Sequence, residues 1–225
     1  MEKKAVASAI EHSVLNPTVT AEDVLRACRE AAANGFHGVC VNPIHTARAR
    51  VAADSLKTGE KIKIITVIAF PLGSASSAAK VYEAMRAAQD GADELDVVMA
   101  IPLAMEGDWR GVEKDISDVI AATRGLVHKV IIETAYLKNP ADMEQAVLAA
   151  LRAGASFIKT STGYSPKGAT VQDVAAIKKI IGGRAGIKAA GGIRTAEAAI
   201  GLLRAGADRL GTSAGVQIIE GLSPR

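Results

Sequence analysis

Four segments of the chain repeat one order of apolar and polar positions: a glycine, two small or polar residues, then an apolar run. They are GFHGVCV at 35–41, GADELDV at 91–97, GASFIKT at 154–160 and GADRLGT at 206–212. Each reads as the glycine that ends a helix followed by a strand, because glycine takes the left-handed cap conformation without a steric penalty. Strand side chains alternate between faces. The fourth and sixth positions after the glycine (Val39 and Val41, Leu95 and Val97, Ile158 and Thr160) therefore point out toward covering helices, and the fifth points in. Further apolar runs predict strands at Ala9 to Val14, Ile64 to Ala69, Lys129 to Glu133 and Ile187 to Ala189, with helical patterns between successive strands. Thr20 is placed to cap a helix that turns Val24, Cys28 and Ala31 to one face, Asn139-Pro140 opens another, and Gly154 closes it. Eight strands alternating with helices predict an α/β fold, a single TIM (β/α)8 barrel spanning residues 1–225. A doubly wound open sheet is the alternative, but the GxGxxG nucleotide fingerprint is missing after the first strand.

The inward fifth position holds Cys40, Asp96, Lys159 and Gly211: a thiol, a carboxylate, an amine and bare backbone in one structural slot. Lys159 in FIKTSTG (157–163) lies late in an apolar strand that should exclude charge, and Lys188 in GIKAAGG (186–192) repeats the arrangement. A free lysine titrates near ~10.4. A neighbouring cation in a poorly solvated site lowers that value, so part of the amine is neutral and nucleophilic. Asp96, Lys159 and Lys188, from the fourth, sixth and seventh strands, are expected to converge at the C-terminal end of the barrel. There Lys159 would be the nucleophile, Lys188 the neighbouring cation, and Asp96 the group that holds Lys188 charged and moves protons through a water. The competing reading is a buried ion pair of Asp96 with one lysine.

Two glycine loops add a second feature. Gly191-Gly192 follows the seventh strand, and Gly211-Thr212-Ser213-Ala214-Gly215 follows the eighth and opens a helix-like run, Val216 to Ile219. Loops in these two places form the usual phosphate site of such barrels, because backbone N–H groups attract an anion.

Composition narrows the partners. Apolar residues are 49% of the chain, aromatics only 3%, and the formal charge of +3 is spread along helical stretches, which argues against nucleic-acid binding. Lys61 and Lys63, like Lys178 and Lys179, read as solvated surface. Cys28 and Cys40 are too few for a disulfide framework and lack ligand spacing, as expected in a reducing cytoplasm. The N-terminal apolar run stops at Glu11, too short for a signal peptide, and no stretch elsewhere would span a bilayer. A soluble cytoplasmic protein is expected.

Several blocks in order carry a family resemblance over essentially the whole chain. They are IEHS (10–13), VCVNP (39–43), TVIAFPLG (66–73), GADELDVV (91–98), KVIIET (129–134), FIKTSTG, KAAGGIRT (188–195) and RLGTS (209–213). With these blocks the sequence resembles the deoxyribose-phosphate aldolases. The resemblance implies a class I aldolase without metal or organic cofactor, acting on phosphosugar and aldehyde substrates and assembling as a homodimer or homotetramer. Lys159 then matches the Schiff-base lysine, Lys188 the lysine that tunes it, and Asp96 the carboxylate of the proton relay. Gly191, Gly192, Gly211 and Ser213 match phosphate contacts, and Gly163 and Thr212 in the same blocks join them as substrate-binding positions. Ser13, Asn16, Ala69 and Ala100 depart from the commoner pattern, where Thr, Lys, Gly and Asn are frequent.

Other residues compete for roles. Cys40 reads as packing, and His12 as either a substrate-orienting or a structural histidine. Glu133 reads as paired to a lysine or another polar group. Ser161 and Thr162 read as hydroxyls that fix the Lys159 loop. Rival functions are another class I phosphosugar barrel, such as a transaldolase-like enzyme, and a barrel that only binds an anion. The presence of all three reactive residues speaks against the second.

Overall fold

The computed structural model describes residues 1–56 and 61–222. Eight parallel strands, β1 (Ile10–Val14), β2 (Gly38–Val41), β3 (Lys63–Ile68), β4 (Glu94–Val98), β5 (Val127–Ile131), β6 (Phe157–Lys159), β7 (Gly186–Ala190) and β8 (Arg209–Thr212), pair in sequence order. Pairing of β8 with β1, Leu210 opposite Ile10 and Thr212 opposite His12, closes the barrel. Among the described residues the helices are α1 (Lys3–Ala7), α2 (Ala21–Asn34), α3 (Thr46–Ser55), α4 (Ser77–Gln89), α5 (Ile101–Glu106), α6 (Trp109–Ala122), α7 (Pro140–Arg152), α8 (Val171–Ile181), α9 (Ala196–Ala205) and α10 (Gly215–Glu220). No helix among them is long and apolar enough to cross a membrane.

The expected alternation holds. Val39, Val41, Leu95, Val97 and Ile158 are fully buried in the layer between strands and helices. They meet helix faces rich in alanine, such as Val24, Ala27, Cys28 and Ala31 of α2 and Ala84 and Ala87 of α4. Short side chains let the helices settle close to the sheet, and each buried Val, Leu or Ile contributes roughly 1.5–3 kcal/mol. Thr20 caps α2 in a reciprocal capping box with Asp23, and Asn139 caps α7 ahead of Pro140.

Two strands end sooner than the apolar pattern predicts. The third stops at Ile68 because Ala69 has φ of 53°, and the fifth stops at Ile131, with Glu133 at φ of 47°. Both residues sit in the left-handed region, where a side chain carries a steric cost, so glycine would suit position 69 better than alanine. The short α1 and α5 were outside the expected pattern.

One buried charge outside the barrel braces the strand that bears Asp96. Lys80 of α4, fully buried, donates to the Val98 carbonyl (3.0 Å) and to Asp115 of α6 (2.7 Å), and the Ser77 hydroxyl donates to the other Asp115 oxygen (2.7 Å). Two helices are thereby tied to the C-terminal end of β4.

Candidate active site

The barrel interior has an apolar side and a charged side. Cys40, Ile65 and Val67 form the first. Against them stand Glu11, Glu94, Asp96, Lys129, Lys159 and Lys188, all buried. In the ladders Asp96 lies opposite Lys129, and Lys159 opposite Lys188. Side chains at matched positions of neighbouring strands point the same way, so the register itself delivers the charges to one place.

Asp96 is the hub. Its Oδ2 accepts from Lys159 Nζ (2.8 Å) and Lys188 Nζ (2.5 Å), and its Oδ1 accepts from Lys129 Nζ (3.1 Å). Lys188 also donates to Glu11 Oε2, while Lys129 pairs with Glu94 and lies 3.4 Å from Glu11 Oε1. Three carboxylates thus face three lysine amines in the buried interior of the barrel, where an unpaired charge would be very costly. Burial alone would raise the Asp96 carboxyl, but Lys129, Lys159 and Lys188 outweigh it and hold the group well below its ordinary value. Burial alone would lower Lys188, yet Asp96 and then Glu11 raise it, and Lys129 is raised in the same manner. Both therefore stay charged.

The three lysines differ in how many carboxylates hold them. Among the described residues Lys129 meets Glu11, Glu94 and Asp96, and Lys188 meets Glu11 and Asp96. Lys159 meets Asp96 alone and lies 5.9 Å from the centre of the Phe70 ring. The convergence expected of Asp96, Lys159 and Lys188 is present, with Lys188 as the charged neighbour. Glu11, Lys129 and Glu94 were missed, although the signal was available. Glu94 is the third residue after Gly91 and shares the inward face with Asp96, while Glu11 and Lys129 are charges inside apolar runs, the criterion that singled out Lys159.

Lys159 opens into a cavity of about 480 Å³ whose lining includes Gly163, Gly191, Gly192, Gly211, Thr212 and Ser213, all six positions expected to bind substrate. Gly191 has φ of +92°, and a Cβ there would meet the Cα atoms of Gly168 and Gly163 at 3.1 and 3.2 Å. Bare backbone lets the loops after β6 and β7 touch. Gly211 does more than line the cavity: a Cβ would stand 2.9 Å from Cε of Lys188 and 3.0 Å from Cβ of Ala190. Gly211→Ala is therefore expected to displace the Lys188 stem and lower kcat by about 10²-fold, the scale of a misplaced reacting group. Steady-state kinetics beside a thermal melt checks that the loss is local. The Thr212 hydroxyl donates to the Ile193 carbonyl (2.6 Å) and accepts from Ala214 N (2.9 Å), so it shapes the loop. Arg194, exposed and lining the same cavity, brings a cation that the motif reading did not assign.

Residues 5–221 match the model of the DeoC/LacD family aldolases. The chain belongs to this family. It is 46% identical over 224 residues to the deoxyribose-phosphate aldolase of Thermococcus kodakarensis, covering 98% of both chains. Against the deoxyribose-phosphate aldolase of Deinococcus radiodurans it is 46% identical over 220 residues, 96% of each. A solved structure titled as the unique tetrameric deoxyribose phosphate aldolase of Aeropyrum pernix superposes with a TM-score of 0.89 at 35% identity, covering 97% of this chain and 91% of that one.

In this aldolase the remaining candidates take structural parts. Cys40 is fully buried with Sγ 3.9 Å from Asp96, and burial raises its thiol to about 11, which fits packing. His12 turns out of the barrel and bonds Glu30 of α2 through Nε2 (2.8 Å), so it is a structural histidine; burial lowers its imidazole despite the opposing pull of Glu30. Among the described residues Glu133 pairs with polar groups and not with a lysine: Thr162 donates through its N–H (3.1 Å) and hydroxyl (2.5 Å), and Ser165 through its hydroxyl (2.8 Å). Thr162 also accepts from Tyr164 N (3.1 Å), fixing the Lys159 loop as expected, whereas Ser161 Oγ is buried without a hydrogen-bond partner among the described residues. Glu11, His37 and Glu94 have metal-ligand atoms within reach of one another, but the Lys129 ammonium already stands against both carboxylates, so they are not read as a metal site.

Proposed function

We propose that this aldolase reversibly cleaves 2-deoxy-D-ribose 5-phosphate to acetaldehyde and D-glyceraldehyde 3-phosphate through a Schiff base on Lys159. The observation that carries the reading is that Lys159 is the lysine of the buried charge cluster that reaches the cavity, and it has the fewest counter-ions. A nucleophile must shed its proton, and the loss costs least where fewest carboxylates are abandoned.

In the cleavage direction the neutral amine attacks C1 of the open-chain sugar, and loss of water gives a protonated imine. The C3 hydroxyl gives up its proton to Asp96 through a water, the C2–C3 bond breaks, and its electrons pass toward the imine nitrogen. Glyceraldehyde 3-phosphate leaves. The enamine takes a proton at C2, and hydrolysis of the resulting imine releases acetaldehyde and restores Lys159. Lys188, kept charged by Asp96 and Glu11, holds the Asp96 carboxylate beside the reacting carbons. The phosphate fits the loops of Gly191, Gly192, Gly211 and Ser213, with Arg194 as an added cation.

Borohydride reduction in the presence of acetaldehyde is expected to trap a covalent adduct that peptide mapping places on Lys159. A label found mainly on Lys188 overturns the assignment of roles. Turnover of deoxyribose 5-phosphate well above that of ketose phosphates separates this reading from a transaldolase-like one. Assembly as a homodimer or homotetramer belongs to the same proposal, supported by the description of the Aeropyrum structure as tetrameric.

A further inference from the structure

We infer that the reacting site extends through the barrel to its N-terminal face, where Glu94 and His37 act as positioning residues that set the charge balance around Lys159 from the side opposite the substrate. The inference rests on Lys159 being the Schiff-base amine. The proposed reaction uses Lys159, Asp96 and Lys188, yet the chain of contacts does not stop there. Lys129 carries it from Asp96 to Glu94 at the start of β4, and Glu94 Oε1 meets His37 Nε2 at 2.8 Å. His37 immediately precedes β2, and its side chain is 17% exposed, whereas those of Asp96 and Lys129 are 0% and that of Glu94 is 8%. Among the described residues His37 is the one member of the chain that opens on the far face, into a separate pocket of about 890 Å³.

The charged groups around His37 come from several elements. Glu94 faces it from β4, Lys63 and Lys61 line the same pocket from β3 and the segment before it, and Lys3 and Lys4 line it from α1. Lys63 is offset by Asp93 at 3.8 Å. Glu94 is the only carboxylate bonded to His37 among the described residues, and it is shared with Lys129. Burial opposes ionisation of Glu94, but the His37 hydrogen bond and Lys129 hold its carboxyl down at about 2.

With His37 neutral the cluster balances, three carboxylates against three ammonium groups. Removing the Glu94 charge leaves one positive charge in excess. In the buried interior of the barrel that excess weighs against a further positive charge at Lys159, the lysine held by the fewest carboxylates.

The test is the pH profile of kcat/KM for deoxyribose 5-phosphate cleavage, with borohydride trapping of acetaldehyde measured at each pH. Glu94→Gln is expected to move the acid limb down by on the order of one pH unit, and Glu94→Asp, which keeps the charge, to return it toward the parent profile. His37→Leu removes the hydrogen bond that fixes Glu94 against Lys129, so its acid limb is expected to move the same way as that of Glu94→Gln, by less. It serves alone if Glu94→Gln does not fold. A purely structural role would lower activity at every pH and leave the limb in place. A limb that stays put, or moves the other way, in the folded variants overturns the inference. If the parent adduct does not map to Lys159, the Schiff-base assignment itself falls, a separate outcome read from the same trapping experiment.

Discussion

Lys159→Arg is expected to abolish borohydride trapping and to lower kcat/KM by at least about 10⁴-fold, the scale seen when a covalent nucleophile is removed. Arginine keeps the positive charge and can still donate to Asp96, so the balance of three carboxylates and three cations survives. What it lacks is a neutral form: the guanidinium stays protonated throughout the working pH range and cannot add to a carbonyl. The cavity above Lys159 gives the longer head room, so the melting temperature should shift little. Trapping, kinetics and a thermal melt on the same sample separate lost chemistry from lost fold. Retained trapping in this variant would place the nucleophile elsewhere.

Asp96→Asn is expected to do damage of both kinds. The carboxylate bonds Lys129, Lys159 and Lys188 at once, and its loss leaves three buried ammonium groups to share Glu11 and Glu94. Breaking a buried ion pair by removing one partner costs about 3–5 kcal/mol. Activity should fall with it, because Asp96 is also the proposed proton relay. The pH dependence has a definite sign. The folded carboxyl is held well below its ordinary value, so its contribution to stability is fully present above about pH 4 and fades as pH falls through the folded value. The stability gap between parent and variant should therefore be widest near neutral pH and close in acid. Urea denaturation at a series of pH values measures it, and a gap that widens in acid would contradict the hub assignment.

Much of this site could be read from one property of the chain, the two-residue alternation of strands. It places Cys40, Asp96, Lys159 and Gly211 on the inner face of four strands, and it is local, since it follows from backbone geometry within a few residues. By the same alternation Glu94, two residues before Asp96, also belongs to the inner face. Glu11 and Lys129 show a different limit. Each is visible as a charge in an apolar run, but nothing nearby in the sequence says that Glu11 meets Lys188, 177 positions away, or that Lys129 takes three counter-ions. His12 sits next to Glu11 and faces the other way, toward α2, which a motif spanning both residues does not reveal.

The sequence by itself determined the alternation of strands and helices, the inner-face parity of Asp96 and Lys159, the place of Lys188 late in an apolar strand, and the glycine loops. These follow from short-range sterics and from where apolar side chains recur. Tertiary structure decided which lysine faces the cavity, how the three ammonium groups divide their carboxylates, and that Gly211 is bare to make room for Lys188. Those outcomes depend on barrel closure and on the stagger between strands far apart in the chain, and period-two patterning within one strand carries no information about either.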